Sequence, residues 1–205
     1  MYQDMTARDL LQQRTTLSNG DTIWRYSPLV MAALEGKMAV LDGIHRVHQG
    51  TLAVLHRLVH ERELQLYDGT RLLGRDRFEE ARQACGNISQ EAMAQRKILP
   101  IADNFRVVAL AEPPNNAASS SKSSKQWFSA EILSMFLFHQ MRAPSQLEEL
   151  HILKSLTGGE LSPGKSLDSM LQLAHRLRTS DDSSLANIAN SLSTRQLLRI
   201  GNVQL

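Results

Sequence analysis

Short apolar runs alternate with amphipathic segments along the first two thirds of this chain. Residues 37–41 and 105–111 are apolar along their length, which is typical of strands buried on both faces of a parallel sheet. Residues 51–61 carry leucines at helical spacing and predict an amphipathic helix between those strands. Buried strands joined by helices predict an α/β fold with a parallel sheet.

Residues typical of turns and helix ends lie between these segments. Asn19-Gly20 and Asp68-Gly69 each separate two polar or alternating segments and predict two β-hairpins. Pro28 and Gly36 bracket a short apolar helix, because proline suits the first turn of a helix and glycine suits its end.

The remaining segments are mostly helical in pattern. Residues 75–96 are charged and predict a helix, and residues 127–138 predict a helix followed by a strand. Residues 115–125 are rich in serine and asparagine and predict a loop. The helices predicted beyond Pro144 cover residues 145–156, 166–178 and 193–200.

This shift in composition predicts two domains. Residues 1–142 would form a truncated α/β core with two hairpin insertions, and residues 143–205 would form a small helical domain. A chain of 205 residues, 42% of them hydrophobic, can bury one core and a smaller second one.

Composition narrows the classes of function. A net charge of +2 with 23 dispersed basic residues argues against a specific nucleic-acid partner. The single Cys85 excludes an internal disulfide and favours a reducing compartment. The sequence has no apolar run long enough to span a membrane, and its N-terminus has neither a signal-peptide nor a transit-peptide pattern. These features predict a soluble, intracellular chain.

The segment 38–46 carries the most specific chemistry. It is an apolar strand that ends in Asp42, the form of a Walker B element, which places an aspartate beside Mg²⁺ and a nucleotide phosphate. The next residue is Gly43, where a glutamate normally polarises the attacking water. The residues before this strand contain no phosphate-binding loop. Asp42 could instead cap the turn that precedes Thr51.

The order of these segments resembles the AAA+ superfamily, in the branch of MoxR-type ATPases, midasin and dynein. The resemblance rests on Ser27-Pro28-Leu29, the segment from Leu41 to Arg46, the Asp68-Gly69 hairpin, residues 105–113, and Ser193-Thr194-Arg195. It implies a partial AAA+ parallel-sheet core without its P-loop strand, followed by a helical lid with a sensor 2-like helix. It also implies ATP and Mg²⁺ as cofactors in the intact family, other AAA+ subunits or the rest of a larger protein as partners, and a mitochondrial location.

Matching the family motif one position at a time implies a damaged site. Asp42 matches the aspartate that reaches Mg²⁺ through the nucleotide, and Gly43 replaces the catalytic glutamate. Glu112 replaces the sensor 1 asparagine, where a carboxylate would repel the γ-phosphate. The segment 133–136 has no arginine at the arginine-finger position. Arg195 matches the sensor 2 arginine, although a plain helix-start arginine is the alternative. The predicted remnant site is Asp42, Glu112 and Arg195, with no catalytic residue intact.

Residues 159–166 match the G-x-x-x-x-G-K-[ST] pattern of a P-loop. A P-loop needs a strand before it, and a helical segment precedes this match, so a linker is the preferred interpretation. The sequence therefore predicts a fragment or degenerate module of an AAA+ ATPase that does not hydrolyse ATP alone. One alternative is a non-catalytic assembly module that contacts other AAA+ subunits. Another is a shortened gene product whose exposed apolar surface recruits a partner.

Overall fold

The computed structural model describes residues 1–112, 128–156, 165–180, 185, 188 and 192–203. They divide into two compact units, residues 1–138 and 139–205. The strands are β1 (Gln12–Thr16), β2 (Thr22–Tyr26), β3 (Met38–Asp42), β4 (Glu63–Gln65), β5 (Arg71–Leu73), β6 (Ile98–Pro100) and β7 (Arg106–Leu110). The helices are α1 (Ala7–Leu11), α2 (Pro28–Glu35), α3 (Gln49–His56), α4 (Arg75–Ala84), α5 (Gln90–Gln95), α6 (Ala130–Ser134), α7 (Gln146–Leu156), α8 (Lys165–Arg178) and α9 (Thr194–Val203). Across these ranges no helix is both long and apolar enough to cross a membrane.

Local capping interactions set the ends of the helices around the first core. The Ser27 hydroxyl accepts a hydrogen bond from the Val30 N–H (3.2 Å) and begins α2 ahead of Pro28. Gly36 ends the same helix with φ +72°, a left-handed conformation that glycine adopts without strain. The helix predicted between Pro28 and Gly36 is therefore confirmed.

Both predicted hairpins are confirmed. β1 pairs antiparallel with β2, and β4 pairs antiparallel with β5. The indole of Trp24 stacks on the ring of Tyr67 with centroids 6.0 Å apart, so the two hairpins touch each other. The second hairpin gains a third strand, because β6 pairs parallel to β5. The sequence pattern did not predict β6.

Strands β3 and β7 pair in parallel, with Met38 opposite Arg106 and Asp42 opposite Leu110. Only one face of this pair is covered within the described residues. The other face carries four exposed apolar side chains, Met38 (63% exposed), Val40 (58%), Val108 (39%) and Leu110 (49%), together with the exposed Arg106 and Asp42 at its two ends. The prediction that both strands are buried on both faces is therefore wrong. An apolar run shows that a strand favours burial, but it does not show that the element needed to cover it is present.

The core of the first unit lies between the covered face of β3–β7 and the surrounding helices. Its fully buried side chains include Val30, Leu52, Leu55, Leu58 and Leu72. After α3 the chain continues as a π-helical turn, Arg57–Glu61, and stops at Arg62, whose φ is +53°. Helix α6 adds Ile132 to the core. The strand predicted after α6 is absent from the described residues 128–138, so that prediction is wrong.

The second unit consists of helices packed on a small apolar centre. Leu153 of α7, Leu171 and Ala174 of α8, and Leu197 of α9 are almost completely buried there. These three helices lie where the apolar spacing predicted them.

Candidate functional site

Asp42 and Glu112 lie at the same edge of the β3–β7 sheet. The strands are parallel, so their carboxyl ends meet, and Asp42 pairs directly with Leu110. The Gly43 N–H donates to the Leu110 carbonyl (3.0 Å) and extends the ladder by one bond. The fold therefore brings two of the three predicted site residues to one edge.

Gly43 has a backbone conformation that suits glycine. Its φ of +79° lies in the left-handed region, and it begins a short 3₁₀ turn, Ile44–Arg46. An added Cβ would lie 3.4 Å from the Arg46 side chain, so space alone does not exclude a larger residue. The backbone does disfavour one, since a side chain at positive φ costs about 1–2 kcal/mol. A glutamate at this position would therefore be strained in this fold.

The Glu112 carboxylate faces two basic side chains from the turn after β3. Its Oε1 lies 3.6 Å from Arg46 Nη2, and its Oε2 lies 3.8 Å from His45 Nε2. The Glu112 N–H also donates to His45 Nδ1 (3.1 Å). Sequence reasoning missed both partners, although parallel pairing of the two strands would place their following residues side by side.

The Asp42 carboxylate is exposed, and within the described parts of the chain no hydrogen bond or ion pair engages it. Its main-chain carbonyl accepts a hydrogen bond from the Met1 nitrogen (2.5 Å). The cap of α3 is His48, whose Nδ1 accepts from the Gly50 N–H (3.1 Å). The turn Ile44–Arg46 likewise has no side-chain cap, so the alternative that Asp42 caps the turn before Thr51 is wrong. The Asp42 side chain is left available for contact with another molecule.

These residues do not fit a complete Mg²⁺–nucleotide site. Mg²⁺ is usually held by one or two carboxylates together with substrate phosphates, so Asp42 supplies enough carboxylate and the missing part is the element that holds the phosphates. Among the residues that the structure describes, no group of three His, Cys, Asp or Glu side chains could hold a metal ion. A phosphate cradle needs a strand, a glycine-rich loop and a helix, whereas the segment before β3 is the β1–β2 hairpin followed directly by α2.

Two sequence features lie wholly or mainly outside the described residues. The serine-rich segment 115–125 is one of them, together with Pro113 and Pro114. In the P-loop pattern, residues 159–164 are also outside them, and its last two residues begin α8. Both interpretations therefore stay predictions.

Arg195 lies in the second unit, in the first turn of α9. The Ser193 hydroxyl accepts a hydrogen bond from the Gln196 N–H (3.4 Å), which places Arg195 just after the start of the helix. Its side chain is exposed. This position agrees equally with a sensor 2 arginine and with a helix-start arginine, so its role stays a prediction.

The segment at the arginine-finger position contributes side chains to the core of the first unit. Met135 ends α6, and both Met135 and Phe136 pack against the core of the first unit. An arginine finger needs a long, positively charged side chain that reaches a neighbouring subunit, whereas neither Met135 nor Phe136 carries a charge.

A buried carboxylate, Glu149, organises the second unit. It accepts two hydrogen bonds from Arg178 (2.8 and 3.2 Å) and one from the Thr194 hydroxyl (2.6 Å). His175 Nε2 lies 3.3 Å from the same carboxylate. Burial raises the pKa of Glu149, but the hydrogen bonds from Arg178 and Thr194 outweigh this effect and lower the pKa below its ordinary value.

Sequence reasoning missed this network because its members lie on three helices and each is ordinary for an amphipathic helix. It fixes Thr194, the residue before Arg195. The network therefore sets where α9 begins.

The sequence comparisons establish the family. The AAA domain family, dynein-related subfamily, matches residues 1–136. The chain therefore belongs to this AAA family, as the order of its motifs predicted.

The chain is also similar to individual proteins. The chain is 50% identical over 200 residues to mouse von Willebrand factor A domain-containing protein 8, which covers 98% of this chain and 10% of that protein. It is 33% identical over 69 residues to Protein NorQ of Paracoccus denitrificans (strain Pd 1222), covering 34% of this chain and 25% of NorQ. A solved structure of a protein from Cytophaga hutchinsonii has a TM-score of 0.47 and 11% identity, covering 79% of this chain and 38% of that one. The chain thus spans about a tenth of the length of its mouse relative.

Proposed function

We propose that this chain is a degenerate AAA+ module that does not hydrolyse ATP by itself. The observation that carries the proposal is the left-handed backbone at Gly43, directly after Asp42. Hydrolysis needs a group that positions and deprotonates the attacking water, and such a group contributes about 10²–10⁴-fold to the rate. At Gly43 the chain has no side chain, and the backbone there opposes one.

Glu112 supports the same proposal. A carboxylate about 4 Å from a phosphate oxygen is repelled by about 4 kcal/mol at an effective dielectric of 20. Arg46 already faces this carboxylate, so its charge is partly neutralised and it is less able to attract a phosphate. The strand ends therefore favour a site that keeps the Walker B-like strand and lacks the groups needed for hydrolysis.

ATP turnover by the purified chain with Mg²⁺ tests this proposal. We expect the wild type and Asp42→Ala to give the same background rate. Robust turnover that disappears in Asp42→Ala would overturn the proposal. Binding of a fluorescent ATP analogue, measured on the same two proteins, separates a chain that holds nucleotide without hydrolysis from one that does not bind it.

A second candidate function is assembly, and a specific observation favours it. The outer face of β3–β7 presents Met38, Val40, Val108 and Leu110 to solvent. A parallel sheet is normally covered on both faces, and contiguous apolar surface of this kind marks a contact site. We propose that another AAA+ subunit, or the rest of a larger protein, covers this face.

Sedimentation velocity with and without a longer homologue tests assembly. The wild-type chain is expected to co-sediment with the homologue, and Val40→Lys is expected to weaken this association. Leu17→Lys is the matched control, because Leu17 is an exposed leucine (37%) that is not part of this face. A chain that stays monomeric with every partner tested would contradict this function.

The remaining family properties belong to the same proposal. ATP and Mg²⁺ as ligands of an intact module, and a mitochondrial location, rest on the resemblance alone. Imaging of a tagged full-length homologue beside a mitochondrial marker checks the location. The absence of overlap between the two signals would contradict a mitochondrial location.

A further inference from the structure

A second charged region of the first unit surrounds Glu63, the first residue of β4. Its carboxylate is 10% exposed and contacts three guanidinium groups. Arg71 donates to Oε1 (3.1 Å), Arg57 lies 3.8 Å from the same oxygen, and Arg77 donates to Oε2. We call Arg57, Arg71 and Arg77 the Glu63 arginine cluster.

The cluster is fixed in position and open to solvent. Its members come from three separate elements, the π-helical turn after α3, strand β5 and helix α4. Their side chains are 56%, 52% and 60% exposed, while the carboxylate beneath them is nearly buried. The hydrogen bond from Arg71 is the main cause that lowers the pKa of Glu63, so the carboxylate stays charged and holds the guanidinium groups in place.

One carboxylate cannot accept hydrogen bonds from all the N–H groups of three arginines. Each guanidinium has five N–H groups. Glu61 takes up part of Arg57 (3.5 Å), but no second carboxylate contacts Arg71 or Arg77 within the described ranges. These two side chains therefore present unused, pre-oriented donors at the surface.

A cleft of about 520 Å³ adjoins the cluster. Arg77 lines it, together with Arg62, Gly74 and Ile101. Arg62 is held by hydrogen bonds to the carbonyls of Ala102 (3.4 Å) and Phe105 (3.0 Å), and Gly74 keeps the wall open, since an added Cβ would lie 2.9 Å from the Arg62 Cβ. The charged lining of the cleft is balanced, because it consists of Arg62, Arg75 and Arg77 with Glu61, Asp76 and Asp103. The excess positive charge therefore lies at the cluster and not in the cleft.

We propose that the Glu63 arginine cluster binds an acidic segment of a partner protein. Guanidinium groups match carboxylates in a two-pronged geometry. A continuous polyphosphate backbone is bound by an uninterrupted basic surface, whereas these arginines form a local cluster around one carboxylate. This binding needs no nucleotide and goes beyond the proposed function above.

Fluorescence anisotropy with a labelled hexaglutamate peptide tests the proposal on the full chain at low salt. The variant is Arg71→Gln with Arg77→Gln, and the control is Arg14→Gln with Arg25→Gln, the same charge change on the exposed first hairpin. We expect the affinity of the cluster variant to fall about tenfold, as the loss of two exposed ion pairs allows, and that of the control to stay within about twofold.

Circular dichroism checks the fold of each variant. If the double variant unfolds, Arg57→Gln leaves Glu63 with two partners and should weaken hexaglutamate binding about threefold. No binding by the wild type, or equal losses in cluster and control variants, would overturn the proposal. Tighter binding of an oligothymidylate of the same charge would also overturn it and indicate nucleic acid instead.

Discussion

The strand ends of the first unit and the centre of the second unit use carboxylates in opposite ways. Glu149 is completely buried and is held by Arg178, Thr194 and His175. Asp42 and Glu112 are exposed, and the partners of Glu112 lie 3.6 Å away or farther.

This difference distinguishes a carboxylate that stabilises the fold from one that is available for contact with another molecule. A buried carboxylate persists only when hydrogen bonds replace the water it has lost, so its partners report a structural role. An exposed carboxylate adds little to stability and is free to meet another molecule. Asp42 and Glu112 are of the second kind, so these residues can change without loss of the fold.

Replacement of Glu149 should have the largest effect on stability. Glu149→Ala leaves Arg178 and His175 without their carboxylate, and we expect a loss of about 3 kcal/mol in the free energy of unfolding. Urea denaturation followed by circular dichroism measures it. Glu148→Ala is the control on the same helix. The Glu148 side chain is exposed and accepts a hydrogen bond from the Ser145 N–H. Similar losses in the two variants would contradict the structural role of Glu149.

Acid should remove the same contribution. The pKa of Glu149 is lower in the folded chain than its ordinary value of 4.5, so its stabilising effect is fully present above pH 4.5 and is lost as pH falls through the folded pKa. The stability difference between the wild type and Glu149→Gln should therefore shrink as pH is lowered below that value. A difference that stays constant between neutral pH and pH 3 would argue against the lowered pKa.

Substitution of Gly43 should have an intermediate effect. Gly43→Glu restores the family residue but places a side chain at φ +79°, and we expect a loss of about 1–2 kcal/mol without ATP turnover. Gly20→Glu is the matched control, because its φ is +87° and its surroundings are open. Thermal unfolding of the two variants should therefore show similar losses. Turnover gained only in Gly43→Glu would show that the site is dormant and not degenerate.

The contact between Arg46 and Glu112 should contribute little. Both side chains are more than half exposed, so a double-mutant cycle with Arg46→Gln and Glu112→Gln should give a coupling of about 0.2–1 kcal/mol that decreases with salt. A coupling well above this range would mean that the strand ends are more ordered than their exposure indicates.

Asp42 should have the smallest effect of all. Its carboxylate is exposed, so Asp42→Asn should change the free energy of unfolding by less than about 0.5 kcal/mol. The nucleotide affinity of the same Asp42→Asn variant is measured alongside its stability, with and without Mg²⁺. A clear loss of stability would give Asp42 the structural role that Glu149 has in the second unit.

Local signals in the sequence predicted most of the elements. Asn19-Gly20, Pro28 and Gly36 act through the backbone preferences of a few neighbouring residues, so a hairpin and a helix could be recognised without knowledge of the rest of the fold. β6 was missed because it is three residues long and exists by pairing with β5, a contact made between distant parts of the chain.

The candidate site was predictable at its strand ends and nowhere else. The apolar run before Asp42 located one edge of the sheet, and the resemblance to the family motif assigned Glu112 to the same site. The partners His45 and Arg46 depend on the pairing of β3 with β7, and the Glu149 network depends on how three helices pack. Neither leaves a local pattern. The exposed face of β3–β7 was missed for a related reason, since Val40 and Leu41 are both apolar and only the fold determines which one is covered.

The pairing of β3 with β7 also has a consequence for how the chain folds. The two strands are joined by α3, the second hairpin and both helices that follow it. Closing so long a connection costs entropy before any contact compensates for it, so such pairings form late and slow the folding reaction. The edge that carries Asp42 and Glu112 should therefore be among the last parts of the first unit to assemble. Substitutions on these strands should act mainly by accelerating unfolding.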